Sequence, residues 1–233
     1  MDKSGQHAEY FQVYVWDLPL RFFHWINAAC VFMLGVTGLL IGSPIPWGGA
    51  TVEASNRYLF GSVRFVHFAF AYLFLFNFLG RVYWGFAGND FARWKNFFPR
   101  TKAKRKEVLQ VLCLDIFMIC KLPVLSVGAN ALAGIIYSAM YLAILFQILT
   151  GFALYSVMSP GWFPRLFAGL IPLFGGLAGL RQWHHIFTWV FVAFTTMHIY
   201  LSWYHDYLEG RGTISSMIGG WKFIEKSSFP QVR

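Results

Sequence analysis

The sequence predicts an all-α integral membrane protein: a four-helix bundle with both termini in the cytoplasm. Three observations carry that reading. The 233 residues are 57% hydrophobic and only 12% charged, about half the charge of a typical soluble domain. Aromatic side chains reach 20%, more than a soluble core needs. Several apolar runs exceed the roughly 18 residues that mark a membrane span.

The first span covers about residues 20–41 and ends at the Ser43-Pro44-Ile45-Pro46 breaker. The second covers about 62–86. The third covers about 128–158, before Ser159-Pro160-Gly161, and the fourth about 180–208. At about 1.5 Å per residue, each crosses a hydrocarbon core of about 30 Å. Only helices satisfy the backbone in lipid at these lengths. The whole chain, 1–233, reads as one membrane domain with a loop at 87–127. No internal repeat is evident.

Loop charge sets the orientation. The segment between the second and third spans holds Arg93, Lys95, Arg100, Lys102, Lys104, Arg105, Lys106 and Lys121. The other two loops hold Arg57 and Arg165 alone. The positive-inside rule puts the basic loop, and with it both termini, in the cytoplasm. This clustering also explains the net charge of +9 without a nucleic-acid partner. Within the basic loop, Glu107–Cys120 is apolar but too short to span, which predicts an interfacial helix, with a re-entrant segment as the alternative. Residues 210–233 read as a polar cytoplasmic tail. Cys30, Cys113 and Cys120 form no C-x-x-C pattern and read as membrane or interface thiols.

Six of the seven histidines lie in or at the ends of spans; His7 does not. Ionisable residues in a bilayer are costly and mark functional sites. Span direction places His67 and His184 near the outer surface and His24 near the inner one. His198 lies fourteen residues beyond His184, about 21 Å deeper, level with His24. Fourteen steps of about 100° fall within about 40° of whole turns, so His184 and His198 share a face. Facing histidines can ligate haem iron, which predicts two b-type haems at two depths: His67 with His184 outside, and His24 with His198 inside. His185 is the alternative to His184, at a poorer angle. Arg21, Arg64 and Arg181 each precede a histidine by three residues, one turn nearer the water. There they suit haem propionates, or act simply as interfacial anchors. Tyr204, His205 and Asp206, at the inner end of the fourth span, are candidates for a quinone or proton site, or face water.

These residues resemble a family, the cytochrome b subunits of membrane-bound respiratory nickel–iron hydrogenases. The matching stretches are Leu18–Trp25 (LPLRFFHW), Val36–Pro46, Val63–His67 (VRFVH), Leu79–Asn89 (LGRVYWGFAGN), Thr150–Tyr155 (TGFALY), Ile171–Gly175, Trp183–His185, His198–Leu201 and Met217–Lys222. They cover nearly the whole chain in order. The family form has an acidic residue and Ala-Pro before the first arginine; Asp17-Leu18-Pro19-Leu20 keeps the acid and the proline. The resemblance implies His24, His67, His184 and His198 as ligands of two haem b groups. It also implies an electron-transfer subunit of a hydrogen:quinone oxidoreductase complex rather than an enzyme by itself. Such a subunit anchors the hydrogenase small and large subunits at the outer face of the bacterial cytoplasmic membrane and passes their electrons to quinone.

Two rival readings stand beside it. One is a cytochrome b subunit of another respiratory oxidoreductase, such as formate dehydrogenase, whose four-helix arrangement is similar. The other is a proton or metal transporter. Apart from Asp206 at the inner end of the fourth, the spans hold no acidic partner for the histidines, and they lack the broken, repeat-related helices of transporters.

Overall fold

The computed structural model describes residues 9–43, 58–115 and 126–225. His7, Arg57, Cys120, Lys121, the prolines at 44 and 46 and the last five residues of the expected interfacial helix lie outside them. In chain order the elements are strand β1 (Tyr10–Tyr14), helices α1 (Leu18–Gly42), α2 (Tyr58–Ala87), α3 (Lys102–Asp115), α4 (Ala131–Tyr155), α5 (Trp162–Arg165), α6 (Leu177–Glu209) and α7 (Thr213–Gly219), and strand β2 (Trp221–Glu225). Among the described residues four helices, α1, α2, α4 and α6, are long and apolar enough to cross a membrane.

Local chemistry explains where these helices begin and end. Asp17 caps α1 by accepting the Leu20 N–H at 3.3 Å, and Pro19 suits the first turn. Asn130 caps α4 by accepting the Ala133 N–H at 2.7 Å, and Glu107 accepts from Ala131 N at 2.9 Å. The third long helix therefore starts at Ala131 and not at 128. Thr101 accepts the Lys104 N–H, so α3 starts five residues before the apolar run that predicted it and includes basic residues. Gly175 and Gly176 adopt positive φ (75° and 94°) just before α6, and Gly210 (60°) ends it. Only a residue without Cβ enters that region freely.

The described residues divide into two compact units. One comprises 9–22, 82–115, 126–138 and 197–225; the other comprises 23–43, 58–81 and 139–196. In the first unit, β1 and β2 pair antiparallel, Tyr10 opposite Glu225 and Tyr14 opposite Trp221. Residues 210–225 are thus folded rather than a free tail. Val15 N donates to Gly220 O at 2.9 Å, and Trp16 Nε1 donates to Ser216 Oγ at 3.2 Å. Asp17 also accepts from Trp84 Nε1 (2.8 Å) and Asn89 N (3.2 Å), tying the start of α1 to the end of α2. Cys113 is disulfide-bonded, against the reading of three thiols.

The second unit is bundle. Its core joins Cys30 of α1, Phe74 of α2, Ala143, Ile144, Ile148 and Phe152 of α4, and Phe191 of α6. Elsewhere on these helices, Phe65, Phe76, Leu142 and Trp189 stand exposed. Bare aromatic and aliphatic faces of this extent suit lipid rather than water.

Candidate functional site

Two histidines of the second unit are held in the same way. His67 Nδ1 lies 2.8 Å from Thr37 Oγ1 on α1. Thr37 Oγ1 is also 2.6 Å from the Met33 carbonyl, which can only accept, so the hydroxyl proton goes there. Oγ1 is then an acceptor for His67 Nδ1–H. On α6, His184 Nδ1 lies 2.9 Å from Thr150 Oγ1 of α4, whose hydroxyl donates to Phe146 O at 2.8 Å. Both imidazoles are therefore in the tautomer that keeps a bare lone pair on Nε2. This is how a metal-ligating imidazole is oriented: one nitrogen donates to a fixed acceptor while the other faces the metal. Each hydrogen bond contributes only about 1 kcal/mol to stability; its larger effect is to fix the ring.

A glycine follows each threonine and makes room for the ring. A Cβ added at Gly38 would lie 3.3 Å from His67 Cε1, and one at Gly151 would lie 3.2 Å from His184 Cε1. His185 takes a different place. Its ring rests against Gly42 at the end of α1, where a methyl group would collide with it. His184 and His185 thus face α4 and α1 respectively.

The remaining sequence candidates fall as follows. His24, in the second unit, makes a T-shaped contact with Trp25, ring centroids 5.2 Å apart. His198, in the first unit, meets the Tyr137 ring edge-on at 6.2 Å. Arg64 and Arg181 are exposed at the helix starts. Arg21 donates to the Ile218 carbonyl and, at 3.4 Å, to the Tyr14 hydroxyl, so it clamps the chain around α7.

At the end of α6, Tyr204 and His205 meet edge-on, ring centroids 5.9 Å apart, and each of Tyr204, His205 and Asp206 has its own partners, because consecutive helical residues point about 100° apart. Tyr204 stacks on Tyr200 at 6.0 Å, and Asp206 Oδ1 accepts from Ile214 N at 3.1 Å. His205 instead sits between two buried carboxylates. Its Nε2 is 3.0 Å from Asp115 Oδ1, and its Nδ1 is 3.6 Å from Glu209 Oε1. The Glu209 contact is legible as an i, i+4 pair; Asp115 comes from α3, ninety positions away, and carries no sequence signal. Lys222 is buried nearby. Burial pushes its ammonium below the usual lysine pKa, with Glu209 and Asp206 acting the other way.

The sequence reading also passed over Thr37, Thr150 and Arg81. All three stand inside apolar helices, where a polar side chain is itself a signal.

The chain is similar to known proteins over nearly its whole length. The profile of the family described as prokaryotic cytochrome b561 matches residues 15–220. A probable Ni/Fe-hydrogenase B-type cytochrome subunit of Azotobacter chroococcum mcd 1 is 39% identical over 91% of this chain and 89% of its own length. The protein of that description from Cupriavidus necator is 37% identical over 90% and 86%. A probable Ni/Fe-hydrogenase 1 B-type cytochrome subunit of Escherichia coli (strain K12) is 31% identical over 90% of each. With four helices able to span a membrane, the chain is a multi-pass membrane protein, and it belongs to the prokaryotic cytochrome b561 family as a hydrogenase-associated b-type cytochrome subunit.

Proposed function

We propose that this chain is a di-haem membrane cytochrome that anchors a nickel–iron hydrogenase and carries electrons from its iron–sulfur clusters to membrane quinone. The observation that supports it best is the matched pair of hydrogen bonds from Thr37 to His67 and from Thr150 to His184. They leave two Nε2 lone pairs within one unit, the donor set that a six-coordinate haem iron takes. Bound haem would supply one-electron carriage. His67 and His184 would hold one group. For the second, His24 and His198 are the proposed ligands, on the strength of helix spacing and the family resemblance. Held by two imidazoles, such a group would suit electron transfer rather than oxygen chemistry.

Arg64 and Arg181, one turn toward the water from their histidines, are proposed to face the propionates of the first haem. Arg21 is a weaker candidate, because its donors reach Ile218 and Tyr14. The chain works in this reading as one membrane domain of the bacterial cytoplasmic membrane, termini inside, with the hydrogenase small and large subunits outside. Quinone also needs protons. His205, held between Asp115 and Glu209, is proposed to hold one of them at the inner end of α6, near Tyr204 and Asp206. His205→Gln with Asp115→Asn is expected to slow quinone reduction and leave the haem spectra intact; unchanged turnover would remove His205 from the scheme.

The di-haem reading is tested by quantifying haem in the purified chain and taking reduced-minus-oxidised spectra. Two haem b per chain are expected, with His24→Ala and His67→Ala each removing a different one. A single haem in the unaltered chain overturns the pairing.

A further inference from the structure

The last turn of α2 and the chain just beyond it frame an open cavity of about 340 Å³, lined by Gly85, Phe86, Arg93, Trp94, Lys95 and Arg100. Local chemistry builds it within the first unit. Arg93 Nε donates to the Gly88 carbonyl at 3.1 Å, which turns the chain back toward the helix it has just left. Trp94 Nε1 then reaches the Val82 carbonyl at 3.2 Å. A Cβ at Gly85 would collide with that indole, so the glycine is what seats it. Phe86 meets the Trp94 ring edge-on, centroids 6.5 Å apart, and is otherwise bare, 72% exposed. Tyr83, one turn earlier and on the same face of α2, is also exposed.

Depth and charge together select an occupant. The 30 residues of α2 extend about 45 Å, against a hydrocarbon core of about 30 Å. The last turn therefore stands at headgroup level, where aromatic side chains gather. Residues 88–107 hold seven lysines and arginines and two acids, Asp90 and Glu107. Glu107 is engaged by the Ala131 N–H. Asp90 is shared between Lys95 at 2.9 Å and Arg93 at 3.3 Å. The Arg100 side chain has no partner among the described residues. Three cations and one carboxylate leave the cavity wall two positive charges in excess. Surplus cations above a bare aromatic wall suit a molecule that is anionic at one end and apolar at the other; a free anion would have no use for the wall. We propose that this cavity binds an anionic phospholipid, its phosphate held by Lys95 and Arg100 and the start of an acyl chain lying along Phe86 and Tyr83. The proposal is independent of the haem assignment.

The test is native mass spectrometry of the purified full-length chain in neutral detergent, titrated with phosphatidylglycerol or phosphatidylcholine. The unaltered chain is expected to keep phosphatidylglycerol under conditions that strip phosphatidylcholine. Lys95→Gln with Arg100→Gln weakens that retention about thirtyfold, the scale of two basic side chains near a membrane surface. Lys102→Gln with Lys106→Gln removes two exposed charges of α3 that do not line the cavity, and retention stays within about twofold. An equal loss in this second pair overturns the inference, because the attraction would then be diffuse. Equal retention of the two lipids in the unaltered chain also overturns it. So does displacement of phosphatidylglycerol by millimolar inorganic phosphate, which would mean a site for free anions. If the Lys95 and Arg100 double variant does not assemble, the two single variants decide: a several-fold loss in each supports the site, and unchanged retention in both overturns it.

Discussion

The α1–α2 pair and the α4–α6 pair use one device twice and then diverge. Each has a Thr-Gly step on one helix: Thr37-Gly38 and Thr150-Gly151. Each has a histidine on the other, His67 or His184, with an arginine three residues before it. The hydrogen bonds differ by only 0.1 Å, 2.8 against 2.9 Å, and the glycine clearances by as little, 3.3 against 3.2 Å. Fourteen residues further along, α2 carries Arg81 where α6 carries His198. The shared part is what presents an imidazole nitrogen; the part that differs is an arginine on one helix and a histidine on the other. In the proposed two-haem reading, a repeated imidazole-presenting device with divergent far ends would give the two groups unlike surroundings.

The comparison can be broken at the threonines. Thr37→Val and Thr150→Val together remove both acceptors for Nδ1–H while keeping side-chain shape. Loss of such outer partners typically weakens metal binding by roughly 10- to 100-fold. We expect partial haem loss and a raised midpoint for what remains, since an imidazole with no acceptor on Nδ1 is a poorer donor to ferric iron. Serine at both positions restores the hydroxyls and is expected to restore both properties. Haem content and potentials equal to those of the unaltered chain in the valine variant would mean that the threonines merely close hydrogen bonds within their own helices. The two single variants sharpen the comparison: if the device is the same twice, they act about equally on one haem.

A smaller effect is expected at the glycines. In Gly38→Ala and Gly151→Ala the new methyl must push an imidazole by a few tenths of an ångström. Alanine also favours an α-helix by up to about 1 kcal/mol. The expected outcome is a shifted haem absorption band with thermal stability unchanged or slightly raised. An unshifted band would show that the rings have slack and that close helix approach alone explains the glycines.

Much of the fold was legible because lipid imposes it. Apolar runs of span length have no soluble alternative, and all four long helices lie where the runs predict them. Their ends were less legible: Asn130 starts α4 three residues late, and Gly175 and Gly176 let α6 start three residues early. The β1–β2 pair escaped because its strands are five residues each and some two hundred residues apart. Burial alternates along Trp221–Glu225, yet nothing local says what covers it. Among the site residues, the histidines stand out as titratable groups in apolar helices. Thr37 and Thr150 lie within the matching stretches, but their role depends on the register between two helices, which no single helix encodes. The repeated device was invisible for a related reason. Only four positions recur, and threonine and histidine are 30 residues apart in one copy and 34 in the other.

The account centres on His67 and His184 as a matched pair, and on His184 rather than its neighbour as the member from α6. The most direct measurement is haem per chain in purified His184→Ala and His185→Ala. The account predicts one haem in the first and two in the second, because His184 is held by Thr150 while His185 rests against Gly42. Two haems in His184→Ala with one in His185→Ala would contradict it.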